Sequence, residues 1–296
     1  MNDIADTQSG EISLPAINSS AQQFTPGQPN ELLPDLRRVV APNGGPMTGP
    51  GTNTYILGES TRVVIDPGPA IDSHLNAIIN ESSAPIKFIL VTHTHRDHSP
   101  AATVLAARCG AKLIGIGPPA TDWQDQSFSP DRIPQNDEVL MLGDVKLRCI
   151  YTPGHASNHV CYIHDAYALV FTGDHVMQGS TVVIPPEDGS MSDYIASLRR
   201  LETEALQYIA PGHGKLITDP ARVLARLVRH RLHREAKVLG ALKRRGEATL
   251  DELLALVYND VSDNLLSVAV FSLRSHLIKL EAEGLVFGSG AGWSIV

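Results

Sequence analysis

The stretch VTHTHRDHSP, residues 91–100, sets three histidines and an aspartate within six positions, directly behind the apolar run Phe88-Ile89-Leu90-Val91. A core has no use for such a group, and a solvated loop has little reason to collect it. On an extended segment leaving a strand, residues i and i+2 point the same way. His93 and His95 can therefore reach one ion. Asp97 and His98 follow at the turn into the next helix, where they can serve a second. Imidazole nitrogens and carboxylate oxygens suit zinc and similar transition metals.

Four donors on one loop do not close two metal sites, so others must arrive from elsewhere. Three residues stand directly after other strand-like runs. His155 lies in YTPGH, Asp174 in LVFTGDH and His213 in YIAPGHG. Each has a glycine beside it, which lets backbone approach a bound ion closely. Asp66, in VVIDPG, also ends a strand, where it either opens a turn or supports the ligands from behind. His159 (GHASNH) and His175 (GDH) stand near the site as supporting or plain loop residues, with substrate contact the other option.

Around these motifs the chain reads as strand, loop and helix in alternation. Residues 1–30 form a polar arm rich in Ser, Gln, Asn and Pro. Strands are expected at 36–40, 53–57, 62–65, 87–91, 112–115, 145–151, 160–163, 168–171 and 206–209. Helices are expected at 71–82, 99–109 and 192–204. The strands stop near residue 220. One long helix follows over 220–245, then a capped helix opening at Thr249 with Glu252, then a helix over 265–283. LVFG and WSIV flank a glycine-rich turn, which completes a winged-helix-like module. Charge divides the same way. Residues 220–296 carry 11 Lys and Arg against 8 Asp and Glu, whereas the rest carries 13 against 24. The expected units are thus a loose arm (1–30), a catalytic domain (31–219) and a helical winged-helix-like domain (220–296).

A net charge of −8 argues against a general nucleic-acid coat. The three cysteines lack metal or disulfide spacing, which implies reduced thiols inside a cell. The polar start lacks a secretion signal, and no apolar run nears the roughly 20 residues a bilayer requires. The expected address is cytoplasmic, with no membrane partner.

The order HxHxDH, then His, Asp and His, each after a strand, resembles the metallo-β-lactamase superfamily over roughly residues 35–215. The resemblance implies an α/β (α+β) fold, an αββα sandwich with two metals at one edge between the sheets. It implies His93, His95 and His155 at one metal, Asp97, His98 and His213 at the other, and Asp174 bridging them. Asp66 resembles the family's supporting carboxylate. Two divalent ions sharing a water supply hydroxide near neutral pH, so no protein nucleophile is required. Asp97 is then free to shuttle a proton. The all-nitrogen and oxygen donor set favours zinc, with manganese and iron as alternatives.

The tail resembles the β-lactamase-like protein 2 group, as do PMTGPGTNTYILG (46–58), HRLHRE (230–235) and SHLIKLEAEGLV (275–286). Pro100 and Ala101 stand where relatives often have glycines. The leading expectation is hydrolysis of a small ester-like bond, in a thioester, lactone or lactam. A single-stranded RNA endonuclease is the alternative, because the group contains one. Arg222, Arg226 and Arg229, and again His230, Arg234 and Lys237, would then form a phosphate track on the long helix, whose plainer reading is a solvated face. A non-catalytic winged-helix nucleic-acid binder is a third reading, opposed by the complete ligand set and the few cations on the third helix. The module is expected as a wall over the site or as a homodimer contact. Residues 44–52 and 176–192 are the expected substrate-choosing loops.

Overall fold

The structure is a computed structural model that describes Asn18, residues 24–290 and residues 292–296. Most of the expected arm lies outside these residues. Its last two positions require a correction. Pro29 and Asn30 already belong to β1 (Pro29–Leu33), which turns tightly at Asp35 into β2 (Leu36–Val40). Pro, Asn and Glu are weak strand formers, but Leu32 and Leu33 are buried, and burial overrides propensity here.

β1 and β2 continue through β3 (Asn53–Leu57), β4 (Arg62–Ile65), β5 (Ile86–Leu90) and β6 (Lys112–Ile114) into a six-stranded sheet in sequential order. The β4–β5 and β5–β6 pairs are parallel. Their crossovers carry α1 (Asp72–Glu81) and α2 (Pro100–Cys109). Pro100 opens α2, and Gly110 ends it in a left-handed conformation.

The second sheet has the order β11-β10-β9-β8-β7. Its strands are β7 (Val139–Leu142), β8 (Val145–Tyr151), β9 (Val160–His164), β10 (Leu169–Gly173) and β11 (Tyr208–Pro211), with α3 (Met191–Glu202) joining the parallel last pair. The strand β7 had no counterpart in the sequence reading.

Side-chain alternation explains why the sheets stack. In β4, Val63 and Ile65 face the inter-sheet core, whereas Val64 faces the layer of α1 and α2. In β9, Val160 and Tyr162 point inward, and Cys161 and Ile163 point toward α3. Strands apolar on both faces must be covered on both sides. The result is four layers, αββα.

The long helix α4 (Pro220–Arg245) is capped by Asp219, whose side chain accepts from the Arg222 N–H. It serves two cores. Leu224, Leu227 and Val228 pack with α3, whereas Val238, Ala241 and Leu242 pack in the C-terminal domain. That domain adds β12 (Glu247–Ala248), α5 (Leu250–Val257), α6 (Asp263–Ala282), β13 (Val286–Gly288) and β14 (Trp293–Ile295). Thr249 and Glu252 form the expected capping box. Its three strands pair in the order β12-β14-β13, giving a winged-helix domain. Among the described residues no helix is long and apolar enough to cross a membrane, and the three cysteines are free.

Candidate functional site

The loops after β4, β5, β8, β10 and β11 gather at one edge of the sandwich. They bring Asp66, the HTHRDH segment, His155, Asp174 and His213 into one cluster. Cross-links fix this edge. The Asn53 N–H donates to the Gly212 carbonyl at 2.8 Å, the Val160 N–H to Thr92 O at 2.7 Å, and the Tyr162 hydroxyl to Val91 O at 3.0 Å. Glycine makes the close approach possible. A Cβ on Gly212 would sit 2.6 Å from His98 Cε1 and 2.8 Å from Asp174 Oδ1. At Gly173 (φ 44°) it would lie 2.2 Å from Thr92 Oγ1.

The seven proposed ligands fall into two groups, each with its donor atoms within 4.8 Å of one another. The first is His93, His95 and His155. His95 Nδ1 lies 3.0 Å from His93 Nε2 and 3.0 Å from His155 Nε2. The second is Asp97, His98, Asp174 and His213. His213 Nε2 lies 3.2 Å from both Asp97 Oδ2 and Asp174 Oδ1, and His98 Nε2 lies 3.4 Å from Asp174 Oδ1. Asp174 faces both groups, because its Oδ2 is 3.8 Å from His155 Nε2.

Acceptors behind the rings set their tautomers. His155 Nδ1–H donates to Val183 O at 2.7 Å, His213 Nδ1–H to Gly51 O at 3.2 Å, and His98 Nδ1–H to Asp66 Oδ2 at 3.0 Å. Each Nε2 is then the ring atom left facing the cluster. Asp66 takes a left-handed backbone (φ 48°) to do this. It also accepts from the Thr92 N–H and hydroxyl, both at 2.7 Å.

Electrostatics separate the two groups. Burial, with its neighbouring rings, holds His93 well below the usual imidazole range and His95 at about 3, so both are neutral. Burial would also lower His98 and His213. Asp97 and Asp174 outweigh it, holding His98 well above the ordinary value and His213 at about 9. Asp174 is itself held far down, since His213 and His98 overcome its burial. His98 Nε2, His213 Nε2 and Asp174 Oδ1 are buried without a hydrogen-bond partner. A bound cation would displace the protons on His98 and His213 and be held by these Nε2 and carboxylate atoms, a donor set that suits divalent transition metals.

The remaining predicted residues lie further out. His159 stacks on His93 with ring centroids 5.0 Å apart and holds Thr152 Oγ1 at 2.9 Å. His175 is fully buried against Tyr194 and faces no opening; burial takes it to about 3. Arg226 and Arg229 are exposed on α4, and neither lines the cavity at the cluster.

That cavity has a volume of about 550 Å³. His95, Asp97, His155 and Asp174 form its floor. Its walls are chiefly apolar. Met47 and Met177, Val182, Val183 and Pro185 come from the two expected loops. Trp123 and, from α6, Val268 and Phe271 were not expected from the sequence. Trp123 meets Phe271 edge to face at 6.1 Å. α6 is held there by the Ser275 hydroxyl donating to Ile184 O at 2.7 Å and by the Arg274–Glu187 ion pair at 2.8 Å. One signal was available. Leu265, Val268 and Phe271 form a second apolar stripe on α6, beyond the Leu273, Leu277 and Leu280 face that its own core uses.

An αββα sandwich with buried His and Asp clusters at the edge between its sheets defines a metal-dependent hydrolase. The chain belongs to the metallo-beta-lactamase superfamily, whose model matches residues 47–213, and residues 249–293 match the beta-lactamase associated winged helix domain. It is 32% identical over 277 residues to a beta-lactamase-like protein 2 homolog of Drosophila melanogaster, covering 86% of this chain and 90% of that one. It is 30% identical over 268 residues to an atrochrysone carboxyl ACP thioesterase of Aspergillus chevalieri, covering 85% and 82%. The crystal structure of a beta-lactamase domain protein from Burkholderia ambifaria superposes with a TM-score of 0.80 at 18% identity, covering 97% and 99%.

Proposed function

We propose that the protein is a binuclear metallohydrolase that cleaves thioesters of apolar acyl groups. The carrying observation is the 550 Å³ cavity, with clustered His and Asp on its floor and apolar side chains on its walls. An acyl chain buries favourably against Met, Val, Trp and Phe, at about 0.8 kcal/mol per methylene. The thioesterase name of one relative supports the same reading.

His93, His95 and His155 would hold one ion, Asp97, His98 and His213 the other, with Asp174 between them. When bound, the pair supplies Lewis acidity at the thioester carbonyl and acidifies a water. Zinc suits the donors, as do manganese and iron. The chain supplies the rest. The apolar walls orient the acyl group and exclude bulk water, which strengthens each electrostatic contact at the floor. The Asp97 carboxylate lines the cavity with its side chain 29% exposed, so it can reach the reacting atoms. As water oxygen bonds to the carbonyl carbon and the C–S bond breaks, Asp97 takes the water's proton and returns it to the departing thiolate. The products are a carboxylic acid and a thiol.

Two observations weigh against the nucleic-acid readings. On α4, Arg234 is paired with Asp260 at 2.6 Å, and Lys237 faces Asn259 and the same aspartate, so two of the six residues of the expected phosphate track are engaged within the chain. α6, the helix that would enter a DNA groove, lies against residues 184–187.

The test offers the metal-loaded protein a series of acyl thioesters, from acetyl upward, beside end-labelled single-stranded RNA. Thioester turnover with kcat/KM rising along the series is expected. RNA cleavage without thioester turnover would replace this reading.

A further inference from the structure

A second cavity, of about 260 Å³, adjoins the first. The two share Met47, Met177, Val182, Val183 and Val268, an apolar boundary between them. The second cavity is also lined by Arg231 and Arg234 of α4 and by Tyr258.

Arg231 is only 2% exposed. Its guanidinium donates to the Val182 carbonyl (Nη2) and lies 5.1 Å from the centre of the Tyr194 ring. Both partners are neutral. Its Nε has no hydrogen-bond partner, and among the described residues no carboxylate pairs with it. Its neighbours are matched. Arg234 has Asp260, at 2.6 and 3.0 Å, and Glu235, one turn on from Arg231, has Lys279 at 2.9 Å. The Tyr258 hydroxyl is likewise buried without a partner. An unpaired buried cation is expensive to keep, and an apolar side chain of similar size would pack there at lower cost. Arg231 and Tyr258 both line this cavity, and a guanidinium without an anionic partner beside a phenol hydroxyl without any suits the two oxygens of a carboxylate.

We propose that Arg231 and Tyr258 form an anion-binding subsite in this adjoining cavity, which takes a carboxylate on the far end of the acyl group. The proposal rests on the thioester reading and narrows it. The substrate class becomes a thioester whose apolar acyl chain ends in a carboxylate. The apolar residues shared by the two cavities favour a chain bearing one terminal charge over a phosphate ester, whose nearer atoms are polar.

The experiment compares thioesters of straight-chain dicarboxylic acids with thioesters of monocarboxylic acids of equal length, using metal-loaded protein. The wild type should prefer the carboxylate-ended chain by about tenfold or more in kcat/KM, the size of one charge-assisted hydrogen bond. Arg231→Gln should bring that ratio close to one, and Arg231→Lys should restore part of it. Tyr258→Phe should lower the ratio by a smaller factor, and it provides a second route should the arginine variants fold poorly. A wild-type ratio near one overturns the subsite, as does a preference that survives Arg231→Gln. Absence of turnover on every thioester would sink the thioester reading instead. Calorimetric binding of the free acids to the loaded protein then decides the subsite. Tighter binding of dicarboxylates than monocarboxylates, lost in Arg231→Gln, upholds it, and equal binding overturns it.

Discussion

Asp66 shows how one side chain acts at this site through another. It touches no cavity, yet its carboxylate accepts two hydrogen bonds from Thr92 and aligns His98. Asp66→Asn puts an amide N–H₂ where an acceptor is needed. Metal affinity should fall about 10–100-fold, the usual effect of losing such a partner; competition with a chromogenic chelator measures it, and unchanged affinity would contradict the role. His74 makes a prediction about pH. Burial depresses it to about 4, and it faces the Thr54 hydroxyl at 2.8 Å. In the unfolded chain it titrates near 6.5. Between these values the unfolded state binds the proton and the folded state does not. Stability is therefore full above about 6.5 and falls as pH drops toward 4, by up to about 1.4 kcal/mol per pH unit from this group. Urea melts of wild type and His74→Gln across that window should differ in slope. Parallel slopes would contradict the assignment.

At the scale of elements, the strands and helices that hold the His and Asp cluster were largely legible, as were the two loops and the C-terminal module that wall the cavity, whereas the individual wall residues Trp123, Val268 and Phe271 were not. β8 and α4 have the bounds that alternation and capping predict, and the His and Asp residues stand out because apolar neighbours have no use for them. β1 and β7 escaped because one is built from poor strand formers and the other is a short edge strand, half of it exposed. Val268 and Phe271 escaped because an apolar residue reads the same whether it fills a core or lines a pocket. Arg231 sat unremarked between two rows of helix-surface cations, and its burial depends on α3 and residues 181–184, far away in sequence. The role of α6 as a wall is open to test. Phe271→Ala should reduce kcat/KM about tenfold for long acyl thioesters and much less for acetyl, since the loss is apolar contact of about 1–2 kcal/mol. Equal losses on both would mean that Phe271 serves stability alone.

For the whole molecule, the decisive feature is the sharing of α4 by two cores. Its first half is buried with α3 and its second half with α5 and α6. Neither domain can unfold without stripping a face of this helix. Calorimetry should therefore show one cooperative transition, and two separated transitions would contradict that coupling. The same arrangement sets the winged helix against the catalytic edge, so the His and Asp cluster, the cavity and its α6 wall form a single unit. Under the proposed function, two ions held by the seven clustered residues are needed for thioester hydrolysis. The most direct measurement titrates zinc or manganese into metal-stripped protein while following turnover of a long-chain acyl thioester, with Asp174→Ala alongside. Activity should rise to a plateau at two equivalents per chain, and the variant should be inactive and retain less metal. Full activity at one equivalent, turnover by the stripped protein, or an active Asp174→Ala with normal metal content would contradict it.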